Sequence, residues 1–187
     1  MFSGIVTNLG KITFFDKSKK VIGINSNLKN VKLGDSISCN GICLTISKKE
    51  NKTLFFNLSK ETISKTNLSK SRINDIINLE KSLKSGDEIS GHLVFGHVDG
   101  ISKVIKINNL KDSREIVFKT SSKISKFLIE KCSICLNGVS LTVNYVEIIY
   151  SNQQNQKKYY RVFVVKRLIV KEGLLKRIQM VVGLKHP

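Results

Sequence analysis

The chain repeats itself once, and that repeat limits its possible folds more than any other feature. The segment Ser36-Ile37-Ser38-Cys39-Asn40-Gly41-Ile42-Cys43-Leu44-Thr45-Ile46 aligns with Ser133-Ile134-Cys135-Leu136-Asn137-Gly138-Val139-Ser140-Leu141-Thr142-Val143. Six of eleven positions are identical and two more exchange Ile for Val, at an offset of 97. Upstream, Gly4-Ile5-Val6 aligns with Gly96-His97-Val98, and Lys11-Ile12 with Lys103-Val104, at an offset of 92. The two matches keep their order, so the chain holds two copies of one domain of ~90 residues, the second with a short insertion. Two copies at so long a period exclude a solenoid. A length of 187 residues suits two small domains. The boundary is expected between Ser85 and Ser90, giving domains 1–89 and 90–187.

The local patterns are those of strands. Lys11-Ile12-Thr13-Phe14-Phe15, Val21 to Ile24, Ser36 to Ile46 and Thr53 to Leu58 are rich in β-branched and aromatic residues, and Asp75 to Leu79 is a further short apolar run. Turn signals separate them at Asp16-Lys17-Ser18, Leu33-Gly34-Asp35 and Asn40-Gly41. Short strands at this spacing predict small barrels, with helices confined to Lys60–Thr66 and Ser122–Lys131. An Asn-Gly pair inside each repeated run predicts a bulge or tight turn that aims the residue two places on, Cys43 in one copy and Ser140 in the other.

Charge narrows the function less than its size suggests. The net charge is +18, a balance that often marks a nucleic-acid surface. Yet 27 of the 32 basic residues are Lys, and Lys, Asn and Ile together fill 66 positions. Those are amino acids of A- and T-rich codons, so coding bias accounts for much of the excess. Aromatic residues for base stacking make up only 7% and Trp is absent. No nucleic-acid partner is therefore expected. No apolar run reaches the ~18 residues of a membrane helix, and Met1 to Val6 lacks the basic and apolar regions of a secretion signal. A cytoplasmic protein without a membrane partner is expected.

The cysteines Cys39, Cys43, Cys132 and Cys135 have spacings that invite a zinc reading. They lie in alternating apolar runs rather than Gly-rich knuckles, and on a strand Cys132 and Cys135 point to opposite faces. Buried strand cysteines are the expectation, with no metal.

Several motifs together carry a resemblance. They are Met1-Phe2-Ser3-Gly4-Ile5-Val6, Asn40-Gly41-Ile42-Cys43-Leu44-Thr45, Lys60-Glu61-Thr62 with Thr66-Asn67-Leu68, Gly91-His92-Leu93-Val94-Phe95-Gly96-His97-Val98-Asp99-Gly100, and Asn137 to Val143. The chain resembles the riboflavin synthases from Met1 to about Val165. The resemblance implies a mainly all-β fold of two tandem six-stranded Greek-key barrels with short helices. It implies the dismutation of two 6,7-dimethyl-8-ribityllumazine molecules by transfer of a four-carbon unit, giving riboflavin and 5-amino-6-(ribitylamino)uracil. It further implies a homotrimer built through a C-terminal helix, and association with lumazine synthase. No cofactor is implied, because the substrate itself carries the electrophilic ring and acidic methyl protons.

The resemblance also implies site residues. Cys43 and Ser140 become equivalent pocket residues whose difference makes one substrate the donor and the other the acceptor. His97 becomes the proton-transfer group, with His92 as a support. Leu44, Thr45, Leu141 and Thr142 flank the paired residues, and the two threonines are expected to hydrogen-bond the ring. Gly4, Ile5 and Val6 are expected to line the first pocket, and Gly96, His97 and Val98 the second. Asn57, Leu58, Ser59, Lys60, Glu61 and Thr62 are expected to grip ring and ribityl chain, and Lys131 to bind substrate.

The tail departs from the family. Beyond Val165 the chain reads Lys166-Arg167-Leu168-Ile169-Val170-Lys171-Glu172-Gly173, without a second Glu-Thr pair. The family's final strand ends in an acidic residue, and neither that residue nor the trimer helix has a counterpart here. From Lys157 to Pro187 there are nine basic residues and one acidic, a local net charge of +8. A shift of reading frame near Val165 or a divergent end produces such a pattern, and a final strand left unfilled by it would leave an open sheet edge in the second lobe. The retained Cys43, His97, Ser140 and Lys131 point to an enzyme. The tail points to the alternative, a non-catalytic lumazine- or flavin-binding protein.

Overall fold

The structure is a computed structural model and describes residues 1–111, 113–150, 158–167 and 177–182. Strands β1 (Asn8–Asp16), β2 (Val21–Ser26), β3 (Ser36–Cys39), β4 (Ile42–Glu50), β5 (Thr53–Asn57) and β6 (Ile76–Lys81) close into a barrel in the order β1-β2-β5-β4-β3-β6. A helix α1 (Lys60–Lys65) and a 3₁₀ turn (Asn67–Lys70) bridge β5 and β6. Strands β7 (Gly100–Asn109), β8 (Ser113–Thr120), β9 (Ser133–Leu136), β10 (Val139–Tyr150), β11 (Lys158–Arg167) and β12 (Arg177–Val182) close into a second barrel, with a short helix α2 (Ser122–Ser125). Matched strand for strand, the two cyclic orders are the same. The irregularities match too. Pairing slips between Ile12 and Phe14 and between Val104 and Lys106, and again between Ile46 and Lys48 and between Val143 and Tyr145. These slips are the bulges that let a short strand bend round a small barrel.

Alternation decides what each strand buries. Along β4, Ile42, Leu44 and Ile46 turn inward while Cys43, Thr45 and Ser47 lie on the outer side. The same period along β10 buries Val139, Leu141 and Val143 and turns Ser140 and Thr142 outward. Each barrel thus has its own apolar core, around Ile12, Ile24 and Phe56 in one and Phe118, Ile134 and Val164 in the other. The repeated Asn-Gly pairs are tight turns rather than bulges. Asn40 and Asn137 both have φ of 49°, followed by Gly41 at 84° and Gly138 at 82°. Two successive positive φ values are what a two-residue hairpin turn requires. Helix α1 forms where expected, capped by the Ser59 side chain accepting from the Thr62 N–H at 2.9 Å. Helix α2 is one turn instead of the expected ten residues. Its first residue, Ser122, lacks a capping hydrogen bond from the preceding Ser121, and the chain must reverse through Lys131 at φ 66° to enter β9.

The tail corrects one expectation. The second barrel has no missing strand, because Arg177–Val182 pairs with β7 through Met180–Gly100 and with β9 through Val181–Cys135. An extended run rich in Ile, Met and Val closes a barrel without any family motif. The residues expected to carry the second Glu-Thr element, 168–176, lie outside the described residues.

The lobes meet across an approximate two-fold axis. Phe2 and Val94, equivalent in the repeat, exchange backbone hydrogen bonds at 2.8 and 2.9 Å. The turn glycines abut, so that a Cβ on Gly41 would lie 2.8 Å from the Gly138 nitrogen, and one on Gly138 2.9 Å from the Gly41 nitrogen. Asn78 ties the two turns together. Its backbone N–H donates to the Asn40 side chain at 2.8 Å and its own amide to the Asn137 carbonyl at 2.9 Å. Phe2 is fully buried here, with Val94 and Cys135. Phe2→Ala is expected to cost about 3–5 kcal/mol in chemical denaturation, as for other large-to-small changes in a packed interior. A loss under ~1 kcal/mol would show that the junction does not depend on this side chain.

Candidate functional site

Each lobe's leading segment crosses to the other barrel. The Gly4 carbonyl accepts the Ser140 N–H at 2.7 Å, and the Gly96 carbonyl accepts the Cys43 N–H at 2.9 Å. Val6 packs on the second core and Val98 on the first. This reverses the expected assignment. Gly4, Ile5 and Val6 accompany Ser140, whereas Gly96, His97 and Val98 accompany Cys43. Both crossings depend on glycine. Gly4 has φ of 75° and Gly96 of 77°, and a Cβ would lie 2.8 Å from Ser140 Cβ in one case and 2.6 Å from Cys43 Cβ in the other.

The Cys43 side holds a cavity of about 450 Å³ lined by Cys43, Glu61, Thr62, Lys65, His97 and Asp99, with Ile42, Thr66, Gly96 and Val98. Helix α1 forms one wall and the crossing segment another. Lys65 donates to Glu61 one turn earlier, and that contact holds the Glu61 carboxyl below its ordinary range and raises Lys65. The cavity therefore carries a paired Glu and Lys, an exposed imidazole at His97 and a half-buried thiol at Cys43. Such a lining presents hydrogen-bond donors and acceptors of both charge types to one cavity. Cys39 is of another kind. It is fully buried within the first barrel, and burial pushes its thiol well above the ordinary value, so it is inert packing.

Among the described residues, the Ser140 side shows no helix equivalent to α1. Its histidine is His92, whose Nδ1 lies 2.7 Å from Ser140 Oγ. Burial lowers the His92 pKa, and its Nε2 is enclosed with no hydrogen-bond partner among the described residues. With the ring neutral, one tautomer lets Nδ1 accept the Ser140 hydroxyl proton, the geometry of a base beside a hydroxyl. Sequence reasoning treated His92 as a support. The signal that reveals more is the glycine between the two histidines, since Gly96 at φ 77° turns the chain after His92 and before His97.

The remaining expected residues divide. Thr45 and Thr142 lie on the outer faces with Cys43 and Ser140. Leu44, Leu141 and Leu58 turn their side chains into the cores, so only their backbones face outward chemistry. Asn57 and Lys60 are exposed, and Ser59 caps α1 rather than projecting from it. Lys131 is exposed, with its Nζ 3.7 Å from Glu130 and its N–H bonded to the Val143 carbonyl at 2.8 Å. It does not line the Cys43 cavity. Lys65, Thr66 and Asp99 line that cavity without having been singled out as site residues. Among the described residues, no cluster of three or more His, Cys, Asp or Glu is placed to hold a metal, and no helix is long and apolar enough to cross a membrane.

The comparisons with known proteins agree with this geometry. The family model for the lumazine binding domain matches residues 3–82 and 95–168, one match per lobe. The chain is 36% identical over 147 residues to a riboflavin synthase of Actinobacillus pleuropneumoniae, covering 76% of this chain and 68% of that one. It is 37% identical over 154 residues to a riboflavin synthase of Chlamydia pneumoniae, covering 79% and 74%. Among solved structures, LumP complexed with riboflavin superposes with a TM-score of 0.80 at 18% identity, covering 97% of this chain and 99% of that one. LumP complexed with 6,7-dimethyl-8-(1'-D-ribityl) lumazine gives 0.78 at the same identity and coverage. At that identity the likeness concerns the fold.

The half-buried His92 imidazole sets a pH dependence. His92 titrates below its ordinary value of 6.5 in the folded protein and near that value when unfolded. Between the two, the unfolded chain binds a proton that the folded chain does not, so stability falls as pH falls. The contribution is complete above about pH 6.5 and is lost as pH drops through the folded pKa. The thermal midpoint is expected to decline between pH 7.5 and 5, less steeply in His92→Gln. Equal slopes in the two proteins would show that His92 is not the buried titrating group.

Proposed function

The chain belongs to the lumazine binding domain family, and from that premise we propose that it is a riboflavin synthase. In this reading it converts two 6,7-dimethyl-8-ribityllumazine molecules into riboflavin and 5-amino-6-(ribitylamino)uracil. The observation that carries the reading is the equivalent placement of Cys43 and Ser140, each crossed by the other lobe's glycine strap. A reaction between two copies of one molecule needs two similar pockets of unequal chemistry. Here one pocket has a thiol with His97 and the other a hydroxyl with His92. Holding both reactants replaces a bimolecular encounter with an intramolecular one, a gain of roughly 7–11 kcal/mol.

The residues take distinct parts. Glu61, Thr62 and Lys65 bind and orient a ring and ribityl chain in the Cys43 cavity. His97 accepts or returns the methyl proton there. The His92–Ser140 pair moves a proton at the other ring. Face-to-face approach of a Cys43 pocket and a Ser140 pocket is then supplied by neighbouring chains, as in the homotrimer the family implies. Analytical ultracentrifugation tests that assembly.

A second reading has its own observation. Strand β12, Arg-Ile-Gln-Met-Val-Val, closes the second barrel without an acidic residue. A pocket that binds a lumazine or flavin without turning it over fits that loss. The deciding experiment incubates the 187-residue protein with 6,7-dimethyl-8-ribityllumazine and follows riboflavin fluorescence and the loss of lumazine absorbance. Turnover is expected, falling about 10²–10⁴-fold in His97→Ala and in Ser140→Ala if each moves a proton in the transition state. Saturable lumazine binding with no riboflavin over hours would establish the binding reading instead.

A further inference from the structure

A buried carboxylate links the first barrel to the second pocket. Glu80 lies on β6 and is only 4% exposed. Its Oε1 accepts the Ser3 N–H at 2.7 Å and the Ser3 hydroxyl at 2.8 Å, and its Oε2 accepts the Gly4 N–H at 3.0 Å. The carbonyl of the same Gly4 accepts the Ser140 N–H at 2.7 Å. The side chain therefore holds, through one strap, the residue that presents its hydroxyl to His92. Three donors converge on the two oxygens of one side chain that is itself almost wholly enclosed.

The repeat shows that this device is one-sided. Glu80 pairs with Ser38 on β3, and Val181 pairs with Cys135 on β9. Ser38 and Cys135 are equivalent at the offset of 97, so Val181 is the second-lobe equivalent of Glu80. Valine has no side-chain acceptor for the amides of Phe95 and Gly96, which correspond to Ser3 and Gly4. We infer that Glu80 is a positioning residue for the Ser140 site alone, and that among the described residues the strap over Cys43 has no equivalent carboxylate clamp. Where the pocket takes a ribityllumazine, as the proposed function holds, Glu80 sets the affinity at that end and leaves the Cys43 end unaffected.

Glu80→Gln separates the idea from a general packing effect. Glutamine keeps the shape and one acceptor oxygen, but turns an NH₂ toward the Gly4 N–H. In the ligand-free protein, amide hydrogen exchange at Ser140 is expected to speed up about tenfold or more, while Cys43, bonded to Gly96, keeps its rate. Ser3→Ala removes one donor only, and is expected to shift the same amide in the same direction by a smaller factor. It carries the test if Glu80→Gln fails to fold. An unchanged Ser140 rate, or equal acceleration at Ser140 and Cys43, overturns the inference.

A titration with 6,7-dimethyl-8-ribityllumazine, read on the His92 and His97 imidazole resonances, supplies the second arm. Glu80→Gln is expected to weaken the His92 response about tenfold in concentration and to spare that of His97. Equal weakening of both overturns the one-sided role. Wild-type protein with no response at either ring would remove the lumazine reading of the site, while the exchange rates would still decide the role of Glu80.

Discussion

The close crossing of two glycine straps is the constraint on which the rest of the structure depends. Gly4 lies on Ser140 and Gly96 on Cys43, each at a distance that excludes a Cβ and at a φ that disfavours one. Because the straps are exchanged, neither barrel owns a complete pocket. The outer face of β4 is finished by residues that lead into the second barrel, and the outer face of β10 by the chain's first residues. The lobe junction and the two sites therefore share atoms, from the fully buried Phe2 to the half-buried Cys43. Any change that loosens the junction reaches both pockets through the backbone, without touching a ligand.

On this symmetric frame the chemistry is unequal at every level. The paired positions hold a thiol and a hydroxyl. The imidazole on the Cys43 side is exposed, and the one on the Ser140 side is half-buried, with its pKa lowered by that burial. One strap is clamped by a carboxylate, and valine stands at the equivalent position of the other. Duplication supplies two similar frames, and single side-chain differences then separate their roles. That separation is what a reaction between identical molecules needs, and a symmetric site does not provide it.

Much of this was legible in the sequence because a repeat with two offsets fixes which residues correspond. The strands of the first lobe, the Asn-Gly turns and the Cys43–Ser140 equivalence all follow from it. Correspondence does not say which barrel a segment covers, so Gly4–Val6 and Gly96–Val98 were assigned to the wrong partners. That choice is made by contacts such as Gly4–Ser140, between residues far apart in the chain, and local pattern carries no trace of them. Leu44, Leu58 and Leu141 were named from a motif, while their period-two burial placed them in the cores. His92, expected as a support, has its Nδ1 2.7 Å from Ser140 Oγ. The turn at Gly96 separates the two histidines, so His97 lines the Cys43 cavity while His92 meets Ser140.

Strand β12 shows that barrel closure and pocket chemistry are separable requirements. Closing the sheet asks only for an extended run whose backbone pairs with β7 and β9, and Arg177–Val182 meets that demand. A tail can thus depart from the family motifs and keep the barrel closed, so the open edge that an unfilled final strand would leave does not arise. The superposition on LumP at 18% identity follows the same logic, since strand order and bulges outlast the side chains that line the pockets. The proposed chemistry therefore involves a few residues outside the cores, Cys43, His97, Ser140 and His92, with Glu80 bonded to the strap behind Ser140. The barrels are the frame that two offset copies of one sequence were bound to form.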